Sequence, residues 1–563
     1  MSYNRLDKIV NSALWAAYGD AMGFMTELAQ NVRTVETRIG TRRVTRLVEW
    51  KRLIGGRFGA EVTLPIGAYS DDTQLRLATS RSITGNGTFD LHTFSKIEIP
   101  VWQSYALGAG IGSKVAANFL SKRNNLWFNN IYKTDKADYF EAGGNGACMR
   151  IQPHVWSSST PNIPSSFLDD VIKNSLTTHG HPRAIAGSVF HALSLAYTMN
   201  YDRTPSIDDM KEFSNHIIDI PAYILKEPNL DFVWSAHDKK NELHKKYIEV
   251  HKEILNLIDD VEFWLQGNDR SYRCLSNILN LDNPVIRGSG VLTAVAASAV
   301  SLLYPDKDIH NIIIDIVNEL GTDTDSIATM AGAILGILNN SRPPQSVQDE
   351  SYIVNESNRL FSIAEKRPTH DFNYFDALNW KSPNSPLDYI TTNAETNQLE
   401  LYPFGTVNEI SEEFPIRGEQ NNSYHYQWVK STFGQSYLVK KRNSSNLRTT
   451  LKSSSTNSEN DLYLKSNNTS THDINHITQY EIPLNTNDTL QITNCSVVGA
   501  RDNCDINLDQ LTHEALSSNF NPEIIGKHIL MIADSPLGTN GVIGYAAIIS
   551  KARVTRREKY IRS

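Results

Sequence analysis

Two short clusters of oxygen-bearing side chains, far apart in the chain, have the residue types that bind divalent cations. One cluster is residues 70–72, the other is residues 323–326, and each stands just before an apolar run with helical spacing. Carboxylates gathered at one point repel one another unless protons or cations lie between them. Carboxylate and hydroxyl oxygens suit magnesium, manganese or calcium, whereas zinc and copper would require clusters of His and Cys. Together the two clusters predict one divided metal site. Its expected ligands are Ser70, Asp71, Asp72, Asp323, Asp325 and Ser326.

Each cluster also has a purely structural interpretation as a helix cap, because Ser and Asp are common N-cap residues. Ser70 is placed to cap a helix that begins near Thr73. Asp325 or Ser326 is placed to cap a helix that begins near Ile327. A cap needs one short polar side chain, whereas each cluster offers three groups able to bind a cation. Their joint occurrence therefore favours a metal site over two unrelated caps.

Two other cation-binding motifs can be compared with the second cluster. An EF-hand loop starting at Asp323 would need Gly at its sixth position and Glu at its twelfth. Those positions hold Ala328 and Ile334, which excludes the EF-hand. A manganese-dependent glycosyltransferase with an Asp-x-Asp motif at residues 323–325 stays open as an alternative. It predicts a strand before the motif, whereas the flanking sequence has helical spacing on both sides.

The composition is that of an ordinary globular protein and gives no global signal for nucleic acid. The chain has 563 residues, of which 40% are hydrophobic and 21% are charged, and its net charge is −8. This length predicts roughly two to four domains. The most apolar run, residues 291–304, is shorter than the roughly 20 residues that span a membrane. Four scattered cysteines argue against a disulfide framework, although Cys495 and Cys504 are close enough to pair. We expect a cytoplasmic protein without a membrane partner.

The apolar periodicity divides the chain into two regions. Residues 1–368 have helical spacing and predict an all-α domain that contains every expected ligand and folds by itself; its first helix is expected to end near Gly19 and Asp20. Residues 369–563 predict a smaller, mostly β domain, with runs of β-branched and aromatic residues at 424–430, 436–439, 477–482, 490–498 and 542–552. A Ser- and Asn-rich insert at 443–472 is expected to be a mobile loop. The basic residues near the C-terminus are expected to form a solvated charged surface.

Five segments occur in the order and approximate spacing that characterise one enzyme family. They are residues 19–23 (Gly-Asp-Ala-Met-Gly), 70–74 (Ser-Asp-Asp-Thr-Gln), 144–150 (Gly-Asn-Gly-Ala-Cys-Met-Arg), 178–179 (Thr-His) and 321–326 (Gly-Thr-Asp-Thr-Asp-Ser). Over residues 5–366 the chain resembles the ADP-ribosylglycohydrolase family. The resemblance implies an all-α fold with a binuclear Mg²⁺ centre, in which Mn²⁺ is a substitute. It also implies a hydrolase that cleaves the glycosidic bond between ADP-ribose and an acceptor.

The resemblance further implies roles for individual residues. Both ligand clusters match those of the family, with Ser70 and Ser326 at positions where Thr is usual. Glu27 is expected on a mobile loop over the metal ions, either Glu27 or Asp72 is expected to be the catalytic acid/base, and Asp20 is expected to support the site. The residues expected to bind substrate are Gly110, Gly112, Ser113, Gly143, Gly144, Asn145, Gly146 and His179.

The expected partner is an ADP-ribosylated macromolecule or an ADP-ribose derivative, and the acceptor is open among arginine, serine, a nucleic-acid base and small derivatives. Tyr139, Phe140 and Trp156 are the candidates to stack on adenine. The main alternative is a non-catalytic module that senses ADP-ribose or a related nucleotide and regulates a protein partner through the C-terminal region. The intact ligand set favours catalysis over sensing.

Overall fold

The structure, a computed structural model, describes residues 4–237, 242–375, 380–393, 396–417, 423–443, 448–450, 507–518, 520–535 and 537–562. The chain divides into two compact units, Met1–Ser458 and Glu459–Ser563. The expected strands at 477–482 and 490–498, the two cysteines near residue 500 and most of the polar insert lie outside the described residues.

The first unit is built mainly of helices. They are α1 (Arg5–Phe24), α2 (Val32–Ile39), α3 (Asp71–Arg81), α4 (Leu91–Thr93), α5 (Ile99–Trp102), α6 (Ile111–Leu120), α7 (Gln152–Ser157), α8 (Leu168–Leu176), α9 (Pro182–Tyr201), α10 (Ile207–Lys226), α11 (Pro228–His237), α12 (Leu243–Gln266), α13 (Tyr272–Ile278), α14 (Gly290–Ser301), α15 (Ile309–Val317), α16 (Thr324–Leu338) and α17 (Glu350–Ala364). A π-helical segment, Phe94–Glu98, and short 3-10 helices at Cys148–Arg150, Pro164–Ser166 and Pro386–Asp388 join some of them. The helical fold expected for the N-terminal region is confirmed. Among the described residues, no helix combines the length and the apolar character needed to cross a membrane.

Helices α1 and α16 are packed backbone to backbone in the centre of the first unit. A Cβ added at Gly19 would overlap the carbonyl oxygen of Ala328, and one added at Gly23 would overlap Cα of Asp325. Glycine is therefore needed here for the close approach of two helices, which explains why α1 does not end near Gly19 and Asp20 as the sequence suggested. The helix continues to Phe24, so the end of this contact at Gly23 and Asp325 reaches the second ligand cluster.

Two sheets complete the first unit. The helical region contains one antiparallel hairpin that the sequence analysis did not predict, β1 (Trp50–Ile54) paired with β2 (Ala60–Leu64). The remaining strands are β3 (Ile390–Asn393), β4 (Leu399–Leu401), β5 (Gly405–Glu409), β6 (Phe414–Pro415), β7 (Tyr424–Ser431), β8 (Ser436–Arg442) and β9 (Arg448–Thr450). They form a seven-stranded sheet in the order β6-β7-β5-β4-β3-β9, with β8 paired to β7, and only the β3–β9 pair is parallel. Strand β9 lies within the insert that was expected to be a loop.

The seven-stranded sheet is packed on the helices, and the boundary between the compact units follows residue 458 instead of residue 368. Arg81 of α3 donates a hydrogen bond to Gln435 at the start of β8, and both side chains are buried. Trp428 Nε1 of β7 donates to the carbonyl oxygen of Thr63 in β2 at 3.0 Å. Such long-range contacts carry no periodic signal, so the sequence pattern could not predict that the sheet packs on the helices.

The second unit, by itself, is helical in its described part. Its helices are α18 (Leu508–Ser517), α19 (Pro522–Ala533) and α20 (Gly538–Arg562), and its core is Leu511, Ala515, Phe520, Ile532, Tyr545 and Ile549. The strand predicted at 542–552 is wrong, because this run is part of α20. Its β-branched and aromatic residues favour a strand, but Tyr545 and Ile549, one helical turn apart, both enter the helical core.

Candidate active site

A cleft of about 710 Å³ in the first unit brings together most of the residues that the sequence analysis selected. The selected residues that line the cleft are Glu27, Asp71, Asp72, Gly110, Gly112, Ser113, Gly143, Gly144, Asn145, Gly146, His179, Asp323, Asp325 and Ser326. Ser70 does not line it and lies fully buried behind Asp72, with its Oγ 3.3 Å from Asp72 Oδ2. The two distant clusters therefore meet at one place in the fold.

The first cluster is held at the N-terminus of α3 by α1 and by a neighbouring loop. Ser70 is the N-cap, and its side chain accepts a hydrogen bond from the N–H of Asp72. Asp20 of α1 accepts the N–H groups of Ser70 and Thr73, each at 2.9 Å. Asp71 Oδ1 accepts the N–H of Ala109 at 2.7 Å. Asp20 thus supports the site, and α3 begins at Asp71, two residues before the expected start.

The second cluster is held at the N-terminus of α16. Asp323 is the N-cap residue, without a side-chain capping bond, so α16 starts earlier than expected and neither Asp325 nor Ser326 caps it. Asn145 Nδ2 donates to Asp323 Oδ2 at 2.8 Å, and the Ser326 N–H donates to Asp325 Oδ1 at 3.0 Å. Ser326 Oγ lies 3.5 Å from Asp72 Oδ2, which joins the two clusters directly.

The carboxylates of the cleft destabilise one another's ionised forms. Burial raises the pKa of Asp71 to about 7. Burial also raises the pKa of Asp72 and of Asp325 well above the ordinary range. Nearby carboxylates raise both pKa values further, and the largest such effect comes from Asp20 on Asp72 and from Glu27 on Asp325. Such a group of acids takes up protons, or cations that replace them.

The donor set can accept a divalent cation. Asp72 Oδ1 is buried and has no hydrogen-bond partner within the described part of the chain, so this oxygen is available as a ligand. Hard carboxylate and hydroxyl oxygens from two helix N-termini are the donors that magnesium prefers. Among the described residues no group of three or more His, Cys, Asp or Glu side chains is arranged as a finished metal site. The residues fit the cation by their chemistry.

Glu27 lies in the turn that follows α1 and lines the same cleft. Its Oε2 accepts a hydrogen bond from Arg52 Nη1 of β1 at 2.8 Å, and both side chains are mostly buried. The Arg52 guanidinium lies over the ring of Phe24, 4.7 Å from its centroid. Glu27 is therefore placed by an ion pair that the sequence analysis did not predict.

The cleft lining also contains the glycine-rich segments and His179. Gly110 is the N-cap of α6 and provides no side-chain cap, so N–H groups of the first turn are available to an anion at this end of the cleft. His179 Nδ1 lies 2.7 Å from Thr178 Oγ1. Burial, with Arg150 nearby, lowers the pKa of His179 to about 3, so the ring is neutral at physiological pH.

Some expectations about the site do not hold, and some of its residues were missed. Trp156 and Tyr139 are buried, their polar atoms bond to Ser12 and to Leu176, and neither they nor Phe140 line the cleft as adenine-stacking residues would. Arg287, Gly288 and residues 134–138 do line it. They lie on loops that carry no recognisable motif. The hydrogen bond from Asn145 to Asp323 was also missed, because the two residues are far apart in sequence and are brought together only by the fold.

Comparison with known proteins identifies a family for this chain. The family model for ADP-ribosylglycohydrolases matches residues 1–344, a range that includes both clusters and all five segments. A solved structure described as an ADP-ribosylglycohydrolase-related protein complex matches with 16% sequence identity and a TM-score of 0.41, covering 64% of this chain and 99% of that chain. No curated protein matches the chain.

Proposed function

The chain belongs to the ADP-ribosylglycohydrolase family, and we propose that it is a magnesium-dependent hydrolase that cleaves the glycosidic bond between ADP-ribose and an acceptor. The observation that carries this proposal is the meeting of two acidic helix N-termini in one cleft, with Ser326 Oγ 3.5 Å from Asp72 Oδ2. The raised pKa values of Asp71, Asp72 and Asp325 support it, because they indicate a site that needs positive charge.

The residues that would hold Mg²⁺ are Asp71, Asp72, Asp323, Asp325 and Ser326. Ser70, which was also expected as a ligand, lies behind Asp72 and supports it. Bound divalent cations supply Lewis acidity and a template for oxygen-rich groups such as a ribose diol. Asp20 and Asn145 do not need to touch the cation, since they act by fixing α3 and Asp323 through hydrogen bonds. Such outer hydrogen bonds orient ligands and raise the affinity of a site.

Glu27 is the residue that we assign to proton transfer. Hydrolysis of a glycosidic bond passes through an oxocarbenium-like state and needs a group that accepts a proton from the attacking water. The Arg52 ion pair engages Oε2 of Glu27, which leaves Oε1 to receive that proton. Asp72 is less suited to this task, because a carboxylate that neutralises a cation is a weak base.

The glycine-rich wall is suited to the diphosphate of ADP-ribose. The N-terminus of α6 presents N–H groups to the cleft. In the segment 143–146, the N–H groups of Gly143 and Asn145 donate to the carbonyl oxygens of Glu141 and Gly288, which leaves those of Gly144 and Gly146, where no side chain intervenes. A cleft of about 710 Å³ lies in the size range of small-molecule sites, roughly 300–1,000 Å³. Neutral His179 can donate or accept one hydrogen bond there without adding charge.

The test is hydrolysis by the full chain and by Asp325→Asn, which keeps the size of the side chain and removes its charge. ADP-ribosyl-arginine, an ADP-ribosyl-serine peptide and an ADP-ribosylated oligonucleotide serve as substrates, each assayed by release of ADP-ribose with a Mg²⁺ titration. We expect Asp325→Asn to lower turnover by about 10²-fold or more and to weaken Mg²⁺ binding. Asp306→Asn, at an exposed aspartate outside the cleft, is the matched control. Full activity of Asp325→Asn, or activity that survives chelation of all divalent ions, would refute the proposal.

A further inference from the structure

A second cavity, of about 350 Å³, lies beside the cleft in the first unit. Most of its wall comes from hairpin strand β1 with the residue after it, the segment 103–108 between α5 and α6, and strands β7 and β8 of the seven-stranded sheet. Phe24 of α1, Lys114 of α6 and Pro386 complete the lining. Gly108 lines this cavity while Ala109, its neighbour in the chain, lines the cleft. The two cavities therefore share a wall, and the region beyond the family match contributes to the second one.

The charge of this second cavity is entirely positive. Its lining contains Arg52, Lys114 and Lys440 and no Asp or Glu. Arg52 is paired with Glu27 on the cleft side, and Lys114 Nζ donates to the carbonyl oxygen of Gly108 at 3.0 Å.

Lys440 is the least satisfied of the three cations. Within the described part of the chain its Nζ has neither a hydrogen-bond acceptor nor an ion-pair partner, and it lies 6.0 Å from the ring centroid of Tyr426. Burial, and then the charge of Lys114, lowers the pKa of Lys440. Two ammonium groups close enough to repel, in a partly buried cavity without a carboxylate, are stabilised when an anion binds between them.

The rest of the lining is apolar or aromatic. Leu53 and Ile54 of β1 and Leu438 and Tyr426 of the sheet form surfaces without charge. A simple inorganic anion would leave these surfaces unused, whereas an anion attached to a flat or apolar body would cover them. The volume lies at the lower end of the range for small-molecule sites, roughly 300–1,000 Å³.

We propose that this second cavity is a binding site for a phosphate monoester of nucleotide size, separate from the cleft, with the phosphate on Arg52, Lys114 and Lys440 and the apolar body against Tyr426 and Leu438. The site requires no chemistry of its own. It gives the seven-stranded sheet a role in binding, because two of the elements that form the cavity belong to that sheet.

The experiment is calorimetric titration of the full chain with AMP and, separately, with inorganic phosphate. We expect Lys440→Met and Lys114→Met each to weaken binding of AMP to this site by tenfold or more. Lys114 is exposed, so its replacement leaves the fold intact even if that of Lys440 does not. AMP should bind at least tenfold more tightly than inorganic phosphate, and equal affinities would overturn the assignment to a nucleotide-sized ligand.

Two control variants locate the ligand. Lys430→Met removes an exposed lysine of β7 outside this cavity and should leave AMP binding unchanged. Asn145→Ala alters the cleft, and AMP binding at the second site should persist in it. If AMP binding is insensitive to Lys440 and Lys114 but disappears with Asn145, the ligand occupies the cleft and the proposal is wrong. Because the readout is binding, this test is independent of whether the chain hydrolyses ADP-ribose linkages.

Discussion

Asp72 is the residue at which the two acidic clusters become one site. One of its oxygens is near the hydroxyls of Ser70 and Ser326, and the other is buried without a partner among the described residues. The residue types at residues 70–72 and 323–326 were sufficient to predict the meeting, because their shared preference for a hard cation is a chemical property of the side chains. The partners that orient them could not be predicted. The Ala109 N–H that binds Asp71 is a backbone group, and any residue except proline supplies it.

Replacing Glu27 by Gln should separate chemistry from binding. Gln keeps an oxygen for Arg52 but cannot accept a proton at physiological pH, so we expect turnover to fall by about 10²-fold or more while Mg²⁺ affinity changes by less than about tenfold. Glu36→Gln is the matched control, because Glu36 is a glutamate paired with Arg42 at the surface of α2. Steady-state kinetics and a Mg²⁺ titration measure both effects. Unchanged turnover would leave Glu27 with only a structural role.

The cation-free protein should lose stability as the pH rises. The folded-state pKa of Asp71, about 7, exceeds its ordinary value of 3.8, so between these values the folded state binds more protons than the unfolded state. The unfolding free energy therefore falls as pH rises from 4 to 7, by up to about 1.4 kcal/mol per pH unit for each such carboxyl. Mg²⁺ replaces the lost protons, so the rise in Tm that it produces should be larger at pH 8 than at pH 5.

Thermal melting with and without chelator, at a series of pH values, measures this dependence. Asp71→Asn should be less sensitive to pH and respond less to Mg²⁺, since the amide carries no charge to bury. A Mg²⁺ effect on Tm that is equal at both pH values would contradict the electrostatic account of the cleft.

At the scale of elements, the helical periodicity was a good guide and the glycines were not. The apolar run 291–304 is α14 and the helix expected near Ile327 is α16, with ends that differ by a few residues. Gly19 looked like a helix end because glycine is unfavourable in helices and common after them. Glycine is required at this position because the backbone of α16 leaves no room for a side chain. The hairpin of β1 and β2 was missed because each strand has only five residues.

Gly23→Ala should disturb the cleft from outside it. The added methyl would overlap Asp325 Cα and force α1 away from α16, which we expect to cost about 1–3 kcal/mol and to weaken Mg²⁺ binding by displacing Asp325. Gly526→Ala is the matched control, because nothing lies within 4 Å of an added Cβ at that position in α19. There the substitution should be neutral or stabilising. Equal melting temperatures of Gly23→Ala and the unmodified chain would show that the helix contact is looser than described.

At the scale of the whole molecule, the seven-stranded sheet completes the core of the helical region. The buried guanidinium of Arg81 is bound by both oxygens of Glu98 and by Gln435. It lies 5.1 Å from the ring centroid of Phe404, just before β5. Charge pairs of this kind are costly to break, because removing one partner leaves a buried charge incompletely solvated. A division of the chain by composition at residue 368 would cut through this network.

Two fragments test that conclusion. A fragment of residues 1–368 lacks Gln435, Phe404 and the whole sheet, so we expect it to be aggregated or to melt without cooperativity. A fragment of residues 1–458 keeps the complete first unit and should melt cooperatively with a Tm that rises with Mg²⁺. The shorter fragment loses the burial of several aromatic side chains, each of which contributes about 1.5–3 kcal/mol to the free energy of unfolding. The total free energy of unfolding of a domain is only about 5–15 kcal/mol. A folded, Mg²⁺-responsive shorter fragment would place the boundary back at residue 368.

The Arg52–Glu27 ion pair has a thermodynamic consequence for the two cavities. Arg52 lines the second cavity and is paired with Glu27, which lines the cleft, so an anion in the second cavity competes with Glu27 for the same guanidinium. Any factor by which that anion changes the affinity of the cleft for its ligand must equal the factor by which the cleft ligand changes the affinity for the anion. The pair is then a point of reciprocal coupling. Occupancy of the cleft would respond to the concentration of a second metabolite that never enters it.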